Sequence, residues 1–438
     1  MSVPGFPDRT SPRRVAVVDG ARIPFARAWT AYKQLGAADL GAAAIDGLLN
    51  AADLDPSEVD QLFFGCVAAT PNGPHIGREA IFRSALPPTI PAVGVQMYCA
   101  SGAQAVVDGA HQIALGHADV VVAGGAESMS ENQVLFTKKF THALQAASRA
   151  KTLGQRLGAF KGIGLGDLKP QAPGIDEPTI GKSMGQTAEI MAKAMGISRE
   201  EQDEWALTSH HRAAKAYEDG ILEGEVVAMP IPPKYGDTLT RDTDIRADTT
   251  LEKMAKLRPV FDRKYGTVTA GNSSPLTDGA AVVLLMSEEK ARALGYEPLA
   301  YIHAYATAGI DIQKEHLLMG PTYSAPIALK RAGMELKDID LIEMHEAFAS
   351  QVIATLRRFE SADFAKEIGL AGPLIKEVDR DRLNPHGSSI PVGHPFGATG
   401  ARIISRAAHG LAQTGKASAF ISICAAGGLG FSMVLVRE

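Results

Sequence analysis

The chain contains a weak copy of itself, and no other feature limits its possible folds as much. The segment Ala52-Asp53-Leu54-Asp55-Pro56-Ser57-Glu58-Val59-Asp60 closes an amphipathic run and leads into an apolar strand. A shift of 280 residues finds Ala332-Gly333-Met334-Glu335-Leu336-Lys337-Asp338-Ile339-Asp340, again before an apolar strand. A second match follows. The helix-like stretch Gly102 to Gly116, apolar on most sides, precedes Ala118-Asp119-Val120-Val121-Val122-Ala123 and then Gly124-Gly125. A shift of 299 residues gives Ala401 to Gly415, Ala417-Ser418-Ala419-Phe420-Ile421-Ser422 and Gly427-Gly428. Each match has low identity, but the two share their order and nearly their offset. Repetition of this kind implies two copies of one α/β unit, each a sheet covered by helices. A helix apolar all round is expected where a helix layer lies between two sheets.

At about 150 residues per domain, 438 residues leave room for a third unit. It lies between the copies. From about Glu131 to Ile245 the chain is rich in polar and breaker residues and repeats nowhere, with helix-like stretches at Met184–Ala194 and Arg199–Asp219. This reads as a domain inserted into a loop of the first half, which resumes with a strand-rich pattern at Gly266–Asn272 and Ala280–Met286. The division is 1–130 plus 246–290 for the N-terminal half, 131–245 for the inserted loop domain and 291–438 for the C-terminal half.

Composition removes several classes. Apolar residues at 45% and charged residues at 21% exclude disorder, a collagen-like repeat and a coiled coil. A net charge of −5 makes a general nucleic-acid binder a poor fit. The cysteines are Cys66, Cys99 and Cys424, without a C-x-x-C, so neither a disulfide framework nor a metal site is expected. Met1 to Arg14 lacks an apolar leader and is expected to be a frayed tail. No stretch of 18 apolar residues exists, and Leu435-Val436-Arg437-Glu438 is not a peroxisomal address, so the expected location is the cytoplasm.

Four residues could carry chemistry. Cys99, in Met97-Tyr98-Cys99-Ala100-Ser101-Gly102, sits where a strand-like stretch meets the apolar helix. The positive end of the helix dipole favours its thiolate, and the small neighbours leave room for a substrate. His394, in Gly393-His394-Pro395-Phe396-Gly397, occupies the equivalent loop of the other half. Two related halves would bring these loops together at a pseudo-twofold axis as an activated Cys–His pair. Cys424 opens Cys424-Ala425-Ala426-Gly427-Gly428-Leu429-Gly430, where dense glycines let backbone N–H groups face a ligand. His345 ends an apolar strand in Met344-His345-Glu346-Ala347-Phe348. Taken singly, each signal is weak, and a structural cysteine or a satisfied core histidine is the better reading.

Taken together, these stretches resemble the thiolases. The signatures are C-A-S-G at Cys99, H-E-A-F at His345 to Phe348, G-H-P-F-G-A-T-G-A-R at Gly393 to Arg402, and C-A-A-G-G-L-G at Cys424. The likeness runs from Arg22-Ile23-Pro24-Phe25 to the C-terminus and includes Gly124-Gly125-Ala126-Glu127-Ser128-Met129. It implies a thiolase fold, a layered αβαβα sandwich with an inserted loop domain. H-E-A-F in place of the commoner N-E-A-F, together with Ala150–Leu157 and Gly181–Glu189, looks like the thiolase subunit of fatty-acid β-oxidation trifunctional complexes. The implied reaction is CoA-dependent cleavage of a 3-oxoacyl-CoA. Cys99 would be acylated, His394 would take its proton, and Cys424 would act as acid/base at the α-carbon. His345 and His394 would hold an oxyanion, and the backbone N–H groups of Cys99 and Ala426 a second. The family pattern points to Met184, Arg246, Ala270, Gly271, Ser274, Phe348 and Ala426 for substrate binding. Coenzyme A would be a substrate, with no cofactor permanently bound. A homodimer or homotetramer and a hydratase/dehydrogenase partner subunit are implied too.

The rivals are acetyl-CoA C-acetyltransferase working in the condensing direction and a non-catalytic acyl-CoA- or lipid-binding protein of the same fold. Intact Cys99, His394 and Cys424 argue against the latter, and Cys424 against a decarboxylating ketosynthase. Three positions depart from the family pattern. Gly387-Ser388 stands for a double glycine, Pro391 for an alanine, and Ser183 for a histidine that contacts CoA in smaller thiolases. Lys138 to Lys169 carries seven Lys/Arg and one acid, with Phe136, Phe140 and Leu144 at four-residue spacing. A solvated helix packed on its own core is the favoured reading, and a peripheral membrane or subunit contact the alternative. Gly158, Gly162, Gly164 and Gly166 would interrupt a longer helix.

Overall fold

The computed structural model describes residues 12–70, 73–131, 134–170 and 176–438. Of the tail expected to fray, residues 1–11 lie outside the described residues, but Arg13 and Arg14 are tied down. Arg13 Nε donates to Ile113 O at 2.9 Å, and the Arg14 guanidinium stacks 3.7 Å from the Tyr301 ring centroid.

The first half runs β1 (Val15–Arg22), α1 (Ala37–Ala51), β2 (Gln61–Gly65), β3 (Ala92–Val95), α2 (Ser101–Ala114) and β4 (Val120–Glu127). Helices α3 (Lys138–Arg149), α4 (Met184–Ala194) and α5 (Arg199–Glu218) follow in the insert, and β5 (Thr277–Ser287) returns to the first sheet. The second half runs β6 (Ala300–Gly309), α6 (Gly320–Ala332), β7 (Leu341–Met344), α7 (Ala349–Phe359), α8 (Phe396–Thr414), β8 (Ser418–Ala425) and β9 (Leu429–Val436).

The pairings repeat as the sequence repeats. In the first sheet β2 lies parallel to β3 and β4, β4 antiparallel to β5, and β5 antiparallel to β1. In the second, β7 is parallel to β8, β8 antiparallel to β9, and β9 antiparallel to β6. A parallel bridge from Ile342 to Leu383 stands where β3 stands in the first. The sheets join where Ala16 and Val17 of β1 pair with Tyr301 and Ala300 of β6.

All eleven residues of β5 are buried, which a strand allows only when both of its faces are covered. Ala281, Val283 and Leu285 face a central core shared with α2, α8 and the second sheet. Ala280, Val282, Leu284 and Met286 face α1. In the second sheet Ile421 and Met433 point to the centre, whereas Phe420 and Val434 point out towards α6 and α7. The order is therefore α1, sheet, α2 with α8, sheet, then α6 and α7. Glycines let the central helices touch. A Cβ on Gly102 would come within 2.6 Å of Gly397 O, and one on Gly400 within 2.3 Å of Ala103 N. This close approach sets the starts of α2 and α8 side by side.

Four expectations need correction. The glycine clusters are not equivalent: Gly124 and Gly125 lie inside β4, whereas Gly427 and Gly428 form the β8–β9 turn, both at positive φ. The second central helix begins at Phe396, five residues before Ala401, because the Glu127 carboxylate accepts the Gly397 N–H at 2.9 Å. Gly266–Asn272 is loop and not strand. There Glu189 accepts Thr267 N and Val268 N, and Asn272 Oδ1 accepts Thr269 N at 2.8 Å, so side chains satisfy the backbone where a neighbouring strand was expected. Finally, α3 buries only Ala143. Phe140 meets Phe136 and Phe160, but Leu144, Leu153, Leu157 and Leu165 are exposed, so the basic stretch is not packed on a core of its own. The helices expected in the insert are present: Ser183 caps α4, and Ser198 with Glu201 makes a capping box for α5. Among the described residues, no helix is long and apolar enough to cross a membrane.

Candidate active site

Cys99 stands two residues before α2. Tyr98, in front of it, takes a left-handed φ of 47°, a conformation that non-glycine residues adopt only under local constraint. The Tyr98 ring lies 3.2 Å from where a Gly427 Cβ would be, so this strained turn packs on the β8–β9 turn. Cys99 is partly exposed, and it opens on to a cavity of about 220 Å³. The helix start was expected to favour its thiolate, but burial wins. It pushes the thiol up to about 12, against the lowering effect of the Ala426 N–H and the residue's own N–H. Cys99 rests as a thiol, and the two N–H groups expected to form an oxyanion site point at its sulfur.

His394 precedes α8, its N–H bound by Thr277 Oγ1 at 2.8 Å. Gly393 makes this possible: it sits at φ 110°, and a Cβ there would come within 2.7 Å of Thr277. His345 leaves the end of β7, with its N–H on Ser422 O at 2.9 Å. The two imidazole centroids are 4.1 Å apart. Cys99 Sγ and one nitrogen of each ring all lie within 4.8 Å of one another. Burial holds His394 down to about 3 and His345 well below its ordinary value, with Arg402 adding to both. Cys424, near the end of β8, lines the same cavity. Burial raises its thiol far above the ordinary value, and the neighbouring Cys99 raises it further.

The structure thus gathers Cys99, His345, His394 and Cys424 from four loop or strand ends of both halves. The arrangement supplies a nucleophile, a neutral base beside it, a separate buried acid, and N–H donors for developing negative charge.

The expected binding residues divide between two hollows. Met184, Ser274, Phe348 and Ala426 line the cavity of Cys99. Arg246, Ala270 and Gly271 line a more polar hollow of about 390 Å³. Residues 273–276 form the wall between them: Ser273 and Pro275 face one side, Ser274 and Leu276 the other. In the polar hollow Arg27 pairs with Asp244 and Lys253 with Asp248. Among the described residues, Arg246 makes no such pair.

Comparison with known proteins decides the family. The profile "Thiolase, N-terminal domain" matches residues 15–289, and "Thiolase, C-terminal domain" matches 296–437. The chain belongs to the thiolase family. It is 45% identical over 425 residues to a 3-ketoacyl-CoA thiolase of Shewanella halifaxensis, covering 97% of each chain. It is 46% identical over 422 residues to one of Pseudoalteromonas translucida, covering 96% of each. Among solved structures, human mitochondrial 3-ketoacyl-CoA thiolase superposes with a TM-score of 0.80 at 31% identity, covering 97% of this chain and 98% of that one. The Bacillus anthracis acetyl-CoA acetyltransferase gives 0.83 at 32% identity, covering 98% and 100%. The human enzyme has also been solved in complex with CoA. The thiolase fold expected from the motifs is therefore present.

Within this thiolase site, several supporting residues escaped the sequence reading. Glu127 is fully buried in β4 and accepts Val67 N at 3.0 Å, Ala68 N at 2.8 Å and Gly397 N at 2.9 Å. It ties one cavity wall to the start of α8. Glu346 accepts from Trp205, Ser209, Asn384 and Ile390 N, locking the H-E-A-F loop to the insert. The signal for both was an acid inside an apolar strand or beside its end, which a folded chain tolerates only with several donors around it. Of the departures from the family pattern, Ser183 serves as the α4 cap and Ser388 receives Arg402.

Proposed function

We propose that this protein is a degradative 3-ketoacyl-CoA thiolase. The observation that carries the reading is the meeting of Cys99, His394 and Cys424 at one apolar cavity in a chain matched by both thiolase domains. Cys99 gives its proton to His394 Nε2 as its sulfur attacks the C3 ketone, and the Cys99 and Ala426 N–H groups receive the oxyanion. Collapse breaks the C2–C3 bond. The electron pair goes to C2, which takes the proton of Cys424 to become the methyl of acetyl-CoA. The Cys424 thiolate recovers its proton from protonated His394. Free CoA then gives its proton to the neutral His394 as it attacks the Cys99 thioester, and His394 passes that proton to Cys99. All atoms and protons are restored.

The 220 Å³ cavity beside Cys99, walled by Met129, Leu276, Leu318, Phe348 and Phe396, offers more room than a methyl group needs. It favours a longer acyl chain over the acetyl-only reading. CoA is assigned across the two hollows as substrate, with pantetheine running past Ser274 and the nucleotide phosphates at Arg246. The proposal includes a cytoplasmic homo-oligomer. The exposed basic segment 138–169 is the surface for a hydratase/dehydrogenase subunit or an anionic bilayer.

Cys424→Ala separates the two thiols. Cleavage of 3-oxoacyl-CoA should fall by ~10²–10⁴-fold, the span of general acid–base catalysis. Exchange of labelled CoA into acyl-CoA makes no carbanion and should fall much less. Equal loss of both in a folded variant would refute the assignment of Cys424 to the α-carbon.

A further inference from the structure

The facing histidines are held differently from behind. Each ring has an Nε2 that is buried and, among the described residues, without a hydrogen-bond partner. Each Nδ1 lies 2.7 Å from a hydroxyl: His345 from Ser389 Oγ, His394 from Thr399 Oγ1. A neutral imidazole has one N–H, so the hydroxyl's proton decides which nitrogen carries it.

Ser389 has its direction imposed. Arg402 Nη2 lies 2.8 Å from Ser389 Oγ, and a guanidinium can only donate. Among the described residues His345 Nδ1 is the only acceptor within hydrogen-bond distance of Ser389 Oγ, so the serine proton goes to His345 Nδ1 and His345 Nε2 carries the N–H. Arg402 is nearly fully buried and, among the described residues, forms no ion pair. Its guanidinium donates to the hydroxyls of Ser388 and Ser389. Nearby buried acids, Glu343 foremost, offset part of the cost of burying this guanidinium, and its hydrogen bonds are left to hold the two serines.

Thr399 has the opposite surroundings. Its Oγ1 lies 2.9 Å from Pro395 O, which can only accept. With its proton there, Thr399 offers a lone pair to His394 Nδ1–H and leaves Nε2 bare. One nitrogen of each ring and Cys99 Sγ lie within 4.8 Å of one another, and each Nδ1 is already on a hydroxyl, so a donor at His345 Nε2 also disfavours a second N–H donor at His394 Nε2.

We propose that Ser389 with Arg402, and Thr399, are positioning residues that hold the facing histidines in opposite tautomers, His345 as Nε2–H donor and His394 as Nε2 base. Before reaction the pair is one donor and one acceptor. When His394 takes the Cys99 proton, both Nε2 atoms become donors. His394 is still protonated when collapse breaks the C2–C3 bond, so both donors are in place as negative charge builds on the thioester oxygen of the leaving acetyl-CoA enolate.

The kinetic consequence rests on the thiolase reading; the tautomers do not. The direct test is nitrogen-15 NMR of the full-length protein labelled at histidine, with the two residues assigned by substituting each in turn. The expected spectrum shows His345 protonated at Nε2 and His394 at Nδ1. Ser389→Ala should shift only His345 towards a mixture, and Thr399→Val only His394. Ser389→Thr, which keeps a hydroxyl, should restore the parent signal. In turnover, Ser389→Ala should lower kcat about 10²-fold with little change in KM, as loss of one oxyanion donor does, and Ser389→Thr should recover most of it. Two histidines in the same tautomer in the unmodified protein would overturn the proposal, as would tautomers that ignore both substitutions. A protein with the stated tautomers but no thiolysis would instead refute the function and leave the positioning intact.

Discussion

At the scale of single residues, burial governs the chemistry more than the helix dipole does. Cys99 is pushed up to about 12 and His394 down to about 3, so at ordinary pH the pair is thiol and neutral imidazole. His394 binds its proton only as pH falls through about 3, and Cys99 loses its own only as pH rises through about 12. Acylation by 3-oxoacyl-CoA without free CoA should therefore be flat from about pH 5 to pH 9. Rapid-quench measurement of acetyl-CoA release checks this, and an acid limb near pH 6.5 would show an imidazole of ordinary basicity. The reacting residues were legible because each lies in a short run of small residues or glycines whose backbone has unusual demands. Their supports were not. Ser389 looks like any polar residue in a mixed stretch, and Thr399 and Arg402 stand in a quoted signature that gives them no role, because that role depends on partners that come close only in the folded chain.

At the scale of elements, strands and helices were more legible than the loops between them. The apolar run of β5 and the helix-like stretches that became α4 and α5 are local, so the sequence showed them. The loop at 266–272 read as a strand because Val268 and its threonines favour one. Glu189 and Asn272 hold its backbone from far along the chain or from within the turn. Glu127 does the same between elements, joining β4, residues 67–68 and the start of α8. Glu127→Gln puts an amide N–H against backbone donors, and should lower stability by about 1–3 kcal/mol. It should also slow cleavage, because the His394 loop loses its anchor. An unchanged urea midpoint would show that the carboxylate is dispensable to this junction.

At the scale of the whole molecule, the internal repeat was enough to foresee two sheets with a helix layer between them. It could not show how the outer edges end. β3 is an edge strand of four residues without a charge; Val93 is exposed, and a Cβ on Gly94 would meet nothing within 4 Å. An uncharged exposed edge invites another strand, and a second copy of this chain is the partner proposed for it. Light scattering should give about twice 46.2 kDa, and Val93→Lys should shift the mass towards the monomer. A monomer before substitution, or a dimer indifferent to Val93→Lys, would remove β3 from the interface. The claim on which the account turns is that Cys99 carries the acyl group between two substrates. It is tested most directly by mixing the enzyme with a 3-oxoacyl-CoA in the absence of free CoA. The account predicts one equivalent of acetyl-CoA released per site and the shortened acyl group on the Cys99 peptide by mass analysis. Acyl group on Cys424 or Cys66, or no acetyl-CoA until free CoA is added, would contradict it.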